Sequence, residues 1–149
     1  MFHRILVVCT GNICRSPVAA AMLARALPNH RVESAGLGAL VGRGVEPTAR
    51  ALAEAAGLDL AGHRARQLSA AMVRDADLVL VMSEGQRQAV ADLVPEALGK
   101  TLLLGRWLEA GQGRDIPDPY RQAPAVFDAV HRLLCEACEA WAARLVACS

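Results

Sequence analysis

The apolar positions of this chain fall into two alternating patterns. Four short runs have strand character. Ile5 to Val8 is continuously apolar and carries two valines, the mark of a strand covered on both faces. Arg31 to Gly36 alternates polar and apolar and predicts a second strand. Ala76 to Met82 predicts a third and Lys100 to Gly105 a fourth. The stretches between and after them carry helical signals. Ala19 to Leu27 is rich in Ala and Leu and stops at Pro28 and Asn29. Pro47 opens a helix that runs to Ala56, with Gly57 as its stop. Further helices are expected from Ser83 to about Val94 and from about Ala123 to Ala147. The glycine-rich stretch from Gly36 to Gly44 predicts a loop. Four strands separated by helices predict an α/β fold: a single domain over 1–149, with a four-stranded parallel sheet and helices on both faces. Ligands of such sheets bind beyond the carboxyl ends of the strands.

Composition narrows the function classes. The 149 residues suit one substantial core, and the net charge of +1 comes without a basic run, so a nucleic-acid partner is not expected. The first apolar stretch is too short for a signal peptide, and no segment is long enough to span a bilayer. Five cysteines, an odd number, point to a reducing cytoplasm rather than a disulfide framework.

The chemistry concentrates where the first strand ends. Cys9, Thr10, Gly11, Asn12, Ile13, Cys14 and Arg15 form a short loop, and Ser16 with Pro17 opens a helix as N-cap and first helical residue. The first N–H groups of that helix attract anions, and the loop N–H groups from about Thr10 to Arg15 can curl into a phosphate-sized cradle with the Cys9 sulfur at its base. A helix N-terminus and an arginine favour the thiolate of Cys9. Arg15 can grip two phosphoryl oxygens with its planar fork. Gly11 would let the backbone turn or approach the anion, Asn12 tolerates a left-handed conformation, and Ser16 is close enough to donate toward the sulfur. The plainer reading makes Cys9 a small buried hydrophobe and Arg15 a surface residue. The strand before, the helix after, and Gly and Asn between them favour a nucleophile aimed at phosphorus.

Such a nucleophile needs an acid to protonate the leaving oxygen. Asp118 is the candidate, stiffened by Pro117 and Pro119. The alternative is an ordinary Asp-Pro turn, and Asp115 is the local competitor. Tyr120 follows directly, either as an aromatic wall for a phenyl ring or as a half-buried loop aromatic. Cys14 is either a small buried side chain or a resolving thiol that forms a reversible disulfide with Cys9. Cys135 and Cys138 lie in the last helix at core-like spacing and are expected to pack rather than bind metal.

The run from Cys9 to Pro17 resembles the phosphate loop of the low-molecular-weight protein tyrosine phosphatases, and the Asp118-Pro-Tyr120 segment supports that resemblance. It implies that Asp118 is the general acid and Tyr120 a cleft aromatic, with Arg121 standing where many members carry a second aromatic. It implies that Ser34 and His63 join a hydrogen-bond network holding Asn12, and it favours the redox role of Cys14. Leu40 resembles the cleft wall of bacterial members, which implies the exopolysaccharide branch. The expected partner is then a phosphotyrosine protein, a tyrosine autokinase, met in the cytoplasm without metal or organic cofactor. The implied reaction runs through a phosphocysteine. Two rivals are a thiol-dependent arsenate reductase, disfavoured because no cysteine lies between Cys14 and Cys135, and a non-catalytic phosphate-binding module.

Overall fold

The structure, a computed structural model, describes residues 2–147. Four strands, β1 (Arg4–Cys9), β2 (Arg31–Gly36), β3 (Leu78–Val81) and β4 (Thr101–Leu103), form one sheet in the order β2-β1-β3-β4. Every pairing is parallel. Five α-helices accompany it: α1 (Arg15–Ala26), α2 (Pro47–Ala55), α3 (Ala70–Asp75), α4 (Glu84–Leu93) and α5 (Pro124–Ala147).

Beyond Arg4 the central strands are apolar because both of their faces are covered. Ile5, Val7, Leu78 and Leu80 enter one core with residues of α1, α2 and α5. Their neighbours Leu6, Val8, Val79 and Val81 enter a second core with Val73 of α3 and Val90 of α4. β2, at the sheet edge, keeps the alternating pattern of a half-covered strand. Cys9 therefore emerges at the carboxyl end of β1, in the middle of the sheet, with a layer of helices on each side.

Strand β2 matches its expected span, while the third and fourth are shorter than their apolar runs. Leu104 continues the fourth run into a 3₁₀ turn, Leu104–Trp107, and is fully buried there, so its apolar character reports burial rather than strand. α3 was not anticipated. Its cap was legible, since Ser69 accepts a hydrogen bond from the Met72 N–H at 3.2 Å, but six residues are too few to show a period. A second 3₁₀ turn, Pro95–Lys100, leads into β4.

One correction bears on the site. α1 starts at Arg15, with Cys14 in the cap position and no side chain capping it. Ser16 is not the N-cap: its hydroxyl turns back into the loop instead. By contrast Glu46, Ser69 and Ser83 cap α2, α3 and α4 through their side chains. Among the described residues no helix is long and apolar enough to cross a membrane.

Candidate active site

The loop from Cys9 to Arg15 is held by an asparagine whose side-chain amide is fully engaged. Asn12 is fully buried and takes a left-handed backbone at φ 58°. Its Nδ2 donates to Ser16 Oγ at 2.8 Å and to Ser34 Oγ at 3.0 Å, and its Oδ1 accepts from the Arg66 N–H at 3.0 Å. His63 Nε2 lies 2.7 Å from the Asn12 carbonyl, so that nitrogen carries the proton. A buried amide with every donor and acceptor satisfied fixes one loop conformation, because breaking any bond strands a polar atom. Ser34 and His63 thus both hydrogen-bond to Asn12.

This arrangement also orients the hydroxyl next to the sulfur. Ser16 Oγ sits 2.9 Å from Cys9 Sγ. Ser16 Oγ also accepts from Asn12 Nδ2, so one hydroxyl bridges the loop asparagine and the sulfur.

The close backbone approach expected of Gly11 falls on another glycine. Gly11 is not at positive φ, and a Cβ there would meet only Ile13 and Leu40 at ordinary contact distances. The left-handed turn belongs to Asn12. The close approach belongs to Gly36, opposite Cys9 in the sheet register, where a Cβ would lie 2.5 Å from the Thr10 carbonyl oxygen. From the sequence, Gly36 is only the end of a strand and the start of a loop, with no contact to the phosphate loop.

Arg15 is buried at 4% exposure. Its Nη1 donates to the Ile116 carbonyl at 2.7 Å, and its Nη2 lies 3.8 Å from the Asp118 carboxylate. Its Nε is buried without a hydrogen-bond partner. A buried guanidinium N–H left unmatched by protein is a donor reserved for a ligand anion. Ile116 is itself bonded to the end of β3 through its N–H and the Met82 carbonyl at 2.8 Å. The acid-bearing segment is therefore pinned to the sheet on one side of Arg15.

Geometry separates the two aspartates. Asp118 is half-exposed, accepts from the Tyr120 N–H at 3.0 Å and lines a cleft of about 170 Å³ together with Cys9, Arg15, Leu40 and Tyr120. Asp115 accepts from the Glu84 N–H at the start of α4 and is not part of that lining. Leu40 and Tyr120 face the cleft from opposite segments, each partly buried against the core.

Several supports went unseen in the sequence. Gln86, buried on α4, donates to Thr10 Oγ1 at 3.2 Å and accepts from the Met82 N–H at 2.8 Å. Arg66 donates its backbone N–H to Asn12 and its Nε to the Ser34 carbonyl, and its Nη2 meets Glu33 at 2.6 Å. That contact holds the Glu33 carboxyl below its ordinary range. The Glu46 N–H bonds the Ile13 carbonyl, tying the loop to the head of α2. A buried Gln on an otherwise apolar helix face was the one available signal.

Burial pushes the Cys14 thiol up to about 12, with the Glu46 carboxylate adding to it, so it stays protonated at neutral pH. Cys138 packs α5 on α1, its thiol lying 3.7 Å from the Ala19 carbonyl, and Cys135 is half-buried nearby; burial raises both. Neither lines the cleft.

Residues 4–148 match the family described as low molecular weight phosphotyrosine protein phosphatase. The chain is 48% identical over 145 residues to the low molecular weight protein-tyrosine-phosphatase Wzb of Salmonella typhimurium, covering 97% of this chain and 95% of that one. It superposes on the tyrosine phosphatase Wzb of Escherichia coli K30, crystallised with sulphate, with a TM-score of 0.93 at 46% identity over 97% and 99% of the two chains. Vibrio vulnificus Wzb, crystallised with benzylphosphonate, gives a TM-score of 0.91 at 42% identity over the same shares. A sulfur and a buried guanidinium share one anion-sized loop at the end of a parallel strand, and likeness to these enzymes runs over nearly the whole chain: the protein belongs to the low-molecular-weight protein tyrosine phosphatases.

Proposed function

We propose that Cys9 is the nucleophile, Arg15 the phosphoryl clamp and Asp118 the general acid and base of this phosphatase. Cys9 Sγ attacks phosphorus in line, forming the S–P bond as the P–O bond to the tyrosine breaks. Asp118 gives its proton to the departing phenolate oxygen. As a carboxylate it then takes a proton from the water that attacks the phosphocysteine, which releases inorganic phosphate and restores the thiolate. Arg15 and the loop N–H groups from Thr10 to Arg15 neutralise charge on the equatorial oxygens through both steps. Leu40 and Tyr120 sandwich the phenyl ring.

The observation that carries this reading is the pairing of two groups in one cleft. Ser16 Oγ lies 2.9 Å from Cys9 Sγ, and Arg15 presents an unmatched buried Nε in the cleft that Asp118 also lines. The substrate in the cell is a phosphotyrosine protein of the cytoplasm, a tyrosine autokinase of polysaccharide export. The bacterial character of the Leu40 wall and the likeness to Wzb support that choice.

The test is turnover of para-nitrophenyl phosphate and a phosphotyrosine peptide in EDTA and reductant. Cys9→Ser abolishes both. Asp118→Ala lowers kcat/KM by about 10²–10⁴ on the peptide, whose phenolate needs protonation, and by less on the nitrophenyl ester, whose leaving group does not. Wild-type protein that binds phosphate but turns neither substrate over would refute the enzyme reading in favour of a binding module.

A further inference from the structure

Two arginines next to the cleft walls in the chain belong to no ion pair among the described residues. Leu40 and Tyr120 form those walls, and each has an exposed arginine close behind it, Arg43 and Arg121. The ion pairs among the described residues use Arg15, Arg31, Arg50, Arg66, Arg74 and Arg114; Arg43 and Arg121 belong to none of them. Asp118, the one acidic residue lining the cleft, is turned to Arg15 and to the Tyr120 N–H rather than to either rim arginine.

Both positions are held by backbone. Arg43 donates its N–H to the Leu40 carbonyl at 3.1 Å, and its carbonyl accepts from the Ala65 N–H at 2.8 Å. Arg121 stands at the left-handed corner, φ 62°, of a turn closed by the Gln122 N–H on the Pro119 carbonyl at 2.8 Å. Glycine or asparagine is favoured at such a corner, so a long cationic side chain there carries backbone strain. Strain at the rim of a catalytic cleft motivates a search for what the side chain does there. The guanidinium carbon lies 5.3 Å from the Tyr120 ring centroid, which keeps the charge beside the wall while the residue stays exposed.

The geometry points to a second-anion preference, which rests on the phosphotyrosine reading above. The favoured substrate segment carries a further anion, a carboxylate or a second phosphate, within about two residues of the phosphotyrosine. Arg121 and Arg43 receive that anion while Arg15 holds the first. Two extended residues span about 7 Å, so a neighbouring anion lies within a few ångströms to about 7 Å of the phosphotyrosine. A cation beside the Tyr120 wall, with Arg43 bonded through its backbone to Leu40, raises the local potential for an anionic segment and acts more on selection than on chemistry.

The experiment measures Kd on the Cys9→Ser protein for four phosphotyrosine peptides: neutral flanks, flanking Asp, flanking Lys, and a second phosphotyrosine. The expected order at low salt has the Asp or doubly phosphorylated peptide about five- to tenfold tighter than the neutral one, and the Lys peptide weaker. The preference shrinks toward parity in ~1 M salt. Tighter binding with Asp alone assigns carboxylates, and with the second phosphate alone assigns phosphates. Arg121→Gly relieves the left-handed corner, so its Tm holds or rises while most of the preference is lost; Arg121→Lys keeps most of it. A purely structural arginine would not give that split. Equal Kd values across the four peptides would overturn the proposal, as would a preference that survives in the Arg43→Gln, Arg121→Gly double variant. Turnover of the neutral peptide by wild-type protein reports separately on the catalytic reading. Inert wild type with the peptide ranking intact would fail that reading and leave this one standing.

Discussion

Replacing Gly36 by alanine tests whether the shape of the phosphate loop is imposed by the neighbouring strand. The new Cβ would sit 2.5 Å from the Thr10 carbonyl oxygen and 3.0 Å from both the Asn12 nitrogen and the Asn12 Cβ. Reaching ordinary contact at 3.4 Å requires about 0.9 Å of movement (3.4 − 2.5). Gly36 has little freedom to supply it. Its N–H is bonded to the Arg66 carbonyl at 3.0 Å, its carbonyl accepts from the Leu68 N–H at 2.8 Å, and it faces Cys9 across β1 and β2. The loop must therefore move, and with it Asn12 and the N–H groups that meet phosphate. Overpacking of this kind costs about 1–3 kcal/mol, and each kcal/mol lowers Tm by about 2–4 °C in a domain this size. A displacement near 1 Å at the reacting centre costs about 10² in rate. The assay pairs Gly36→Ala with Gly11→Ala, whose Cβ meets nothing closer than 3.6 Å. Tm, kcat/KM on para-nitrophenyl phosphate and the inhibition constant of inorganic phosphate are compared. Gly36→Ala should lose several degrees, about a hundredfold in kcat/KM and most of its phosphate affinity, while Gly11→Ala keeps its Tm within a degree or two. A Gly36→Ala enzyme with wild-type kcat/KM and phosphate affinity, or a Gly11→Ala protein that loses more Tm, would refute the reasoning.

Three further outcomes follow from the same geometry. Asn12→Asp keeps the shape but cannot donate, so the Ser16 hydroxyl turns to the new carboxylate and leaves Cys9 Sγ; kcat/KM falls tenfold or more and iodoacetate alkylates Cys9 more slowly, whereas an unchanged alkylation rate would count against the Ser16–Cys9 bond. Cys14, its thiol pushed up to about 12 by burial, stays protonated at pH 7, so peptide mapping after iodoacetate should find label on Cys9 and none on Cys14; equal labelling would contradict that protonation state. Asp77 accepts from the Arg4 and His3 N–H groups at 2.8 and 3.0 Å, which holds its carboxyl below its ordinary range. A lowered native pKa stabilises the fold above the unfolded carboxylate range and loses that contribution as pH falls through the native value. Asp77→Asn should therefore lower Tm at pH 7 and match wild type near pH 2, and a Tm difference that does not change with pH would remove the electrostatic explanation.

Features governed by neighbours in sequence were legible from the residues. The apolar run before Cys9, the alternation of Arg31 to Gly36, Pro47 at the head of α2 and Gly57 beyond its end all express local preferences, and the folded chain respects them. Even the error at Ser16 is a local rule overridden. The residue has the chemistry of an N-cap, but its hydroxyl is worth more between Cys9 Sγ and Asn12 than on a helix N–H that faces an anion site.

What tertiary structure decided lies at long separation. Arg66 reaches Asn12 across 54 residues, Gln86 reaches Thr10 across 76, and Arg15 reaches Ile116 across 101. No period or cap signal spans such gaps, because these bonds form only when parallel strands bring their carboxyl ends together. The placement of the two aspartates is of the same kind. Asp118 lies 3.8 Å from Arg15 Nη2, while Asp115, three residues earlier in the same stiff segment, accepts from the Glu84 N–H at the start of α4. The sequence by itself determined the elements and the order of reactive groups in the loop; packing of the sheet decided which distant side chains hold that loop, and which carboxylate faces it, since close contact between remote residues is a property of the folded chain alone.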